Sequence, residues 1–156
     1  MKFVRAAIGA ALLVGCAGQT ASAATGNVLF NGSITATCTL TVNSNGTMTV
    51  SNNLQSLSSH NAGGSPGSVQ VDTTGGVQLS VDPVTTTTVP ASDTTATTWT
   101  PTFATTGAQT IAETGTATAL TAAGTSTIAV NLAGTKGGTN RFSAGSYQAT
   151  VTVRCE

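Results

Sequence analysis

Ser65 lies in the pentapeptide GGSPG, residues 63–67, which matches the G-x-S-x-G pattern of a serine nucleophile on a tight strand-to-helix turn. Acyl transfer from such an elbow needs a strand before the serine, a helix after it, and an acid and then a histidine later in the chain. Here a polar loop precedes Ser65, the strand-like SVQVD follows it, and the single histidine, His60, comes earlier. The pentapeptide therefore reads as a loop, and the chain is not expected to be an enzyme. His60 has no second histidine or clustered carboxylate near it in sequence, so it reads as a solvated loop residue and not a metal ligand. Asp72, Asp82 and Asp93 are spaced too irregularly for a calcium loop, and no cofactor is expected. Asn31 and Asn45 each head an N-G-S/T triplet. The pattern is a glycosylation acceptor, but Asn-Gly also suits a bulge or turn because it tolerates positive φ.

The remaining chemistry belongs to the three cysteines, Cys16, Cys38 and Cys155. Lys2 and Arg5 precede an apolar run over residues 6–17 that is too short to span a bilayer, and Ala21-Ser22-Ala23 supplies the small residues of a signal-peptidase site. Residues 1–23 are thus expected to be a secretory signal peptide and 24–156 a single mature domain with no transmembrane segment. Leu13 to Cys16, LVGC, also fits a bacterial lipoprotein signal, and lipidation of Cys16 is the alternative. On either reading two thiols remain in an exported chain, where disulfides persist. Cys38 and Cys155 are expected to be bonded, with two free buried thiols as the alternative. Closing so long a loop removes about 4–5 kcal/mol of unfolded-state entropy in the chain model.

Charged residues make up 6% of the chain. After the signal peptide the bases are Lys136, Arg141 and Arg154, set against Asp72, Asp82, Asp93, Glu113 and Glu156. So sparse a charge excludes an electrostatic grip on nucleic acid or an anionic membrane. Threonine and glycine are abundant, leucine, lysine and glutamate are scarce, and nothing recurs at helical spacing. The fold class is all-β.

Apolar residues alternate through Val28 and Phe30, then through Ile34, Ala36, Cys38, Leu40 and Val42. Asn31-Gly32, which interrupts the apolar run, predicts a bulge or bend inside one long first strand. NSNG, residues 43–46, predicts a hairpin into TMTVS, and TTGG, residues 73–76, predicts a second hairpin between SVQVD and VQLSVDP. Residues 85–125 are strand-like in composition but interrupted by Pro90 and Pro101, which suit loops or edge strands. STIAVNLAG and GSYQATVTVRC alternate again, joined by a glycine-rich loop. Short strands with frequent turns predict an antiparallel sandwich. T-x-T runs in TATCTLT, TMT and TATAL would suit an ice- or glycan-binding face. Such faces come from regular repeats, which are absent here, and threonine equally suits any uncharged solvent-facing strand.

NVLFNGSITATCTLTV near the front resembles the opening of mature chaperone–usher pilins. AGSYQATVTV near the end resembles the final strand of pilins and of spore-coat-U-like secreted proteins. The resemblance is confined mainly to these two ends. It implies an immunoglobulin-like sandwich lacking its last strand, completed by the N-terminal extension of a neighbouring subunit. It further implies a structural, adhesive role at the bacterial cell surface or in a fimbrium. The implied partners are copies of the chain or related pilin subunits, a periplasmic chaperone and an outer-membrane usher. Val28 and Phe30, with Ile34, become candidate donor-strand residues; the alternative is that they are core residues of the chain's own first strand. Two departures stand out. Pilins pair the first-strand cysteine with one in a later strand, around GGVQLSVD here, where this chain has none; its second cysteine is Cys155. The extension before Cys38 is also short.

Geometry gives the odd pairing a consequence. Strands flanking an empty lane lie about 10 Å apart, whereas a disulfide needs Cα atoms about 4.4–6.8 Å apart. A bonded Cys38–Cys155 pair therefore admits no strand at its own level, and the fibre reading holds only if a groove opens elsewhere along these strands. The competing functional class is a self-contained secreted or lipid-anchored monomer that binds a glycan or other surface ligand.

Overall fold

The computed structural model describes residues 22–156. The expected signal peptide falls almost wholly outside the described residues, as does Cys16 with its alternative lipidation. The chain divides into two units, Met1–Gly32 and Ser33–Glu156. In the first, residues 22–32 carry no strand or helix and their side chains are exposed. No described helix is long and apolar enough to cross a membrane.

The second unit is all-β. Its strands are β1 (Cys38–Ser44), β2 (Thr49–Val50), β3 (Ser56–Ser58), β4 (Gly67–Thr73), β5 (Val77–Val81) and β6 (Thr86–Thr88). They continue with β7 (Thr97–Gly107), β8 (Ile111–Thr114), β9 (Thr118–Leu120), β10 (Gly124–Lys136), β11 (Gln148–Thr150) and β12 (Val153–Cys155). All pairings are antiparallel. The largest sheet is organised by β10, which pairs with β7 along one edge and with β4 and then β3 along the other. β1 pairs with β4 at the sheet's margin, and β2 with β3. β12, β5 and β9 form a second sheet, and β11 pairs with β6.

Alternation explains how the sheets meet. Val69 and Val71 of β4, Phe103 of β7 and Ile128 of β10 bury against Val77 and Leu79 of β5 and Leu120 of β9. One apolar face of each sheet thus covers the other, consistent with a β-sandwich. Gly134 on β10 lies beneath the Trp99 ring, where any added Cβ would collide with the indole.

Three local expectations are corrected. The first strand begins at Cys38, not at the alternation around Val28. Residues 22–37 have the pattern of a strand but no paired partner strand among the described residues, and pattern alone does not make a ladder. NSNG does not close a hairpin: after β1 the chain bridges Thr47 to Ser65, and β2 turns onto β3. TTGG does not close one either. Gly75 and Gly76 take φ of 82° and 75°, the left-handed region that glycine enters without steric cost. They carry the chain from β4 in one sheet to β5 in the other, where the Gly76 N–H donates to the Leu120 carbonyl at 2.8 Å. Turn chemistry was legible, but not which sheet the next strand would join. Pro101 does sit in a strand, opposite Leu132 of β10. β8 reaches β7 only at Phe103 and Thr105, so β7 is an edge at Pro101 and a missing N–H costs no ladder bond there.

Candidate functional site: an open groove between the first and last strands

Cys38 and Cys155 are bonded, with Cα atoms 6.1 Å apart. From this tie β1 and the final segment run away together, β1 forward from Cys38 and the last strands backward from Cys155. β1 bonds to β4 alone, β12 to β5 alone and β11 to β6 alone among the described strands. Each therefore presents an unpaired backbone edge, the template on which another strand can add.

The space between these edges is a groove of about 670 Å³. Period-two alternation decides its lining. On β1, Leu40 and Val42 share the face of Cys38. On the opposite wall Ala149, Val151 and Val153 share the face of Cys155 and are half-buried. Val69, Val130 and Leu132 form the floor. Leu40 is 36% exposed and Val42 68%, so enclosure falls with distance from the disulfide. The groove is closed at the cysteines and open toward Ser44 and Gln148. Its walls and floor are mainly apolar, with polar residues such as Asn45 and Gln148 at the rim, and no charged residue lines it.

The wall that carries Ala149 and Val151 is anchored by a buried charge cluster. Residues 128, 130, 132, 134 and 136 lie on one face of β10, so the alternation that buries Ile128 also turns Lys136 inward. A buried ammonium requires a partner. Lys136 Nζ donates to Asp93 Oδ1 at 2.7 Å and to the Thr95 carbonyl at 2.6 Å, with both ionic side chains essentially inaccessible to solvent. The Tyr147 hydroxyl donates to Asp93 Oδ2 at 2.6 Å and accepts from the Ser143 N–H at 3.0 Å. Phe142 completes the cluster, 4.9 Å from Lys136 Nζ and edge-on to Tyr147 at 5.3 Å. Burial opposes ionisation of Asp93, but hydrogen bonds from Lys136, Tyr147 and Thr95 outweigh it and hold the carboxyl down at about 2. Burial first, and then the Asp93 carboxylate, push Tyr147 up to about 12. Tyr147 immediately precedes β11 and also lines the groove, so the cluster fixes where the last segment starts. Sequence reading missed it. The available signal was a lysine in phase with Ile128, Val130 and Leu132.

Of the residues singled out for chemistry, the structure brings none into a catalytic arrangement. Ser65 exchanges backbone hydrogen bonds with Thr47, at 2.9 Å in both directions. His60 Nε2 lies 2.8 Å from Glu113 Oε1 on the surface. Glu113 also accepts from Thr102, and that hydrogen bond, more than His60, lowers its carboxyl pKa. Asp72 accepts from Thr125 and Gln70. Asp82 receives Arg154 Nε on both oxygens, at 2.8 and 2.7 Å. Among the described residues no three His, Cys, Asp or Glu side chains gather as a metal site. Asn31 and Asn45 are exposed.

Val28, Phe30 and Ile34 are exposed at 75%, 89% and 86%. These large apolar side chains stand outside any strand, just upstream of β1. Compared with protein-family models, curated proteins and solved structures, the chain matched none.

Proposed function

We propose that this is an exported structural surface protein, a fimbrial or spore-coat-U-like subunit that polymerises by strand addition and serves adhesion. The observation that carries the proposal is a complementary pair of exposed features. One is an apolar groove bounded by two unpaired strand edges. The other is an N-terminal segment with strand-like alternation and no paired strand among the described residues. Exposed apolar patches of this kind mark interaction sites in soluble proteins. Backbone bonds to both edges would supply affinity and the alternate side chains specificity.

Connectivity favours a second copy as the occupant. The chain enters β1 at the Cys38 end, which the disulfide closes. Thr35 and Thr37 are held there by the turn after β4: Thr37 N–H donates to Thr74 Oγ1 at 2.8 Å, and Thr74 Oγ1 donates to the Thr35 carbonyl at 3.2 Å. Folding back into the same molecule's groove would break these bonds, whereas a neighbour's extension enters freely from the open end. That arrangement is head-to-tail and non-closing, and it generates fibres. On this reading the fold is an immunoglobulin-like sandwich without its last strand. A periplasmic chaperone covers the groove before assembly, an outer-membrane usher exports the subunits, and the product stands at the bacterial surface.

The disulfide also supports a second reading, a self-contained secreted or lipid-anchored monomer, because it ties the first strand to the last without help from a neighbour. Sizing separates the two. Mature protein purified without a chaperone is expected to give a ladder of multimers on unheated detergent gels. A protein that stays monomeric at the highest soluble concentration contradicts the fibre reading and leaves the monomer.

A further inference from the structure

We infer that the Cys38–Cys155 disulfide is a register stop for the incoming strand, seating Val28 beside Leu40 and Phe30 beside Val42. This rests on the strand-addition reading above. A donor attached to its own subunit beyond residue 34 enters at the open end with its N-terminus leading. It therefore runs parallel to β1 and antiparallel to β12. A strand between two others needs them about 10 Å apart, and the cysteine Cα atoms are separated by 6.1 Å. The lane ends at the bond.

The deepest level available to a donor side chain is then that of Leu40 and Val153, and the next is that of Val42 and Val151. Period-two spacing places Val28, Phe30 and Gly32 on one face of the donor. With Val28 at the Leu40 level, Phe30 falls at Val42 and Gly32 at Ser44. The order fits the taper: the smaller anchor takes the enclosed end, where Leu40 is 36% exposed, and the larger takes the wider end, where Val42 is 68% exposed. Gly32 meets a crowded rim, since Gly46 beside it already has Gly67 N 2.8 Å from where a Cβ would stand. Sliding the donor two residues deeper would set Val28 at the disulfide. Sliding it one residue would turn Leu29 inward and both anchors out. The taper favours the assigned register over the deeper one, and the stop excludes the deeper one outright.

The test places the photo-cross-linker p-benzoylphenylalanine at position 30 of the full-length exported protein and maps intermolecular cross-links in the polymer by mass spectrometry. Wild-type cysteines are expected to give cross-links at Val42 and Val151. In Cys38→Ser/Cys155→Ser they are expected to shift toward Leu40 and Val153. Identical positions in both proteins overturn the stop while leaving strand addition intact, and cross-links that avoid the groove overturn both. Should the double variant fail to fold, Val28→Trp in the disulfide-bonded protein decides the register. It alters an exposed side chain of the subunit that carries it, yet at the closed end a tryptophan has no room, so loss of the ladder is expected. A ladder equal to wild type overturns the assignment.

Discussion

Phe30→Ala is expected to abolish the multimer ladder while leaving the monomer's unfolding free energy within about 0.5 kcal/mol of wild type. Phe30 is 89% exposed in the subunit that carries it, so the truncation removes almost no contact from that subunit's own core. In the proposed polymer the same ring would fill the groove beside Val42. A central aromatic anchor lost from an interface costs at least about 2 kcal/mol, which is about thirtyfold in the association constant at each junction. Because each junction pays that factor separately, long fibres disappear before short ones. Were Phe30 a core residue of its own first strand, truncation would instead cost the monomer about 3–5 kcal/mol. Thermal unfolding and sizing of the same two samples decide between these outcomes.

The second large effect is expected at the buried cluster. Lys136→Met should destabilise the subunit by about 3–5 kcal/mol, because it strands the Asp93 carboxylate without its ammonium in a dry site. Against a total stability of about 5–15 kcal/mol, that loss shows as a large drop in the denaturation midpoint. Lys136→Met/Asp93→Leu should recover most of it, since replacing both charges removes the uncompensated ion. A single variant as stable as wild type would contradict the role given to the pair. Acid provides the same comparison without mutation. Asp93 has its folded-state pKa depressed to about 2, below the roughly 3.9 of an unfolded aspartate. The stability it contributes is therefore complete above about pH 4 and is lost as pH falls toward about 2. That acid-labile component should be missing from the double variant.

The class of fold was legible because it depends on composition and alternation: threonine-rich, helix-poor sequence with Val69, Val71, Val77 and Leu79 at period two could only make half-buried strands. The disulfide was legible from counting the two thiols that an expected signal peptide leaves behind. What the sequence could not convey was pairing. NSNG and TTGG are sound turn signals, yet neither joins paired strands, because a turn sets only a local direction: β2 goes on to pair with β3, and β5 with β9 and β12. The alternation around Val28 and Phe30 was read as part of the first strand. The same pattern belongs to a segment without a ladder, since periodicity records which face is apolar and not whether a neighbour exists. The groove was foreseen only as a geometric condition imposed by the disulfide, and its walls at Leu40, Val42, Val151 and Val153 needed the fold. Lys136 is hard to recognise from sequence because a lysine beside Gly137 and Gly138 looks solvated until it is counted in phase with Leu132.

Amide hydrogen exchange of assembled protein against monomer tests the central claim most directly. If a neighbour's extension adds to both free edges, the amides of residues 28–32 and the groove-facing amides of 40–44 and 148–153, those not already bonded to β4, β6 or β5, exchange freely in the monomer and become protected together in the polymer. Multimers in which those groove-facing amides of 40–44 and 148–153 exchange as fast as in the monomer would show that subunits meet elsewhere, and the groove would lose its role.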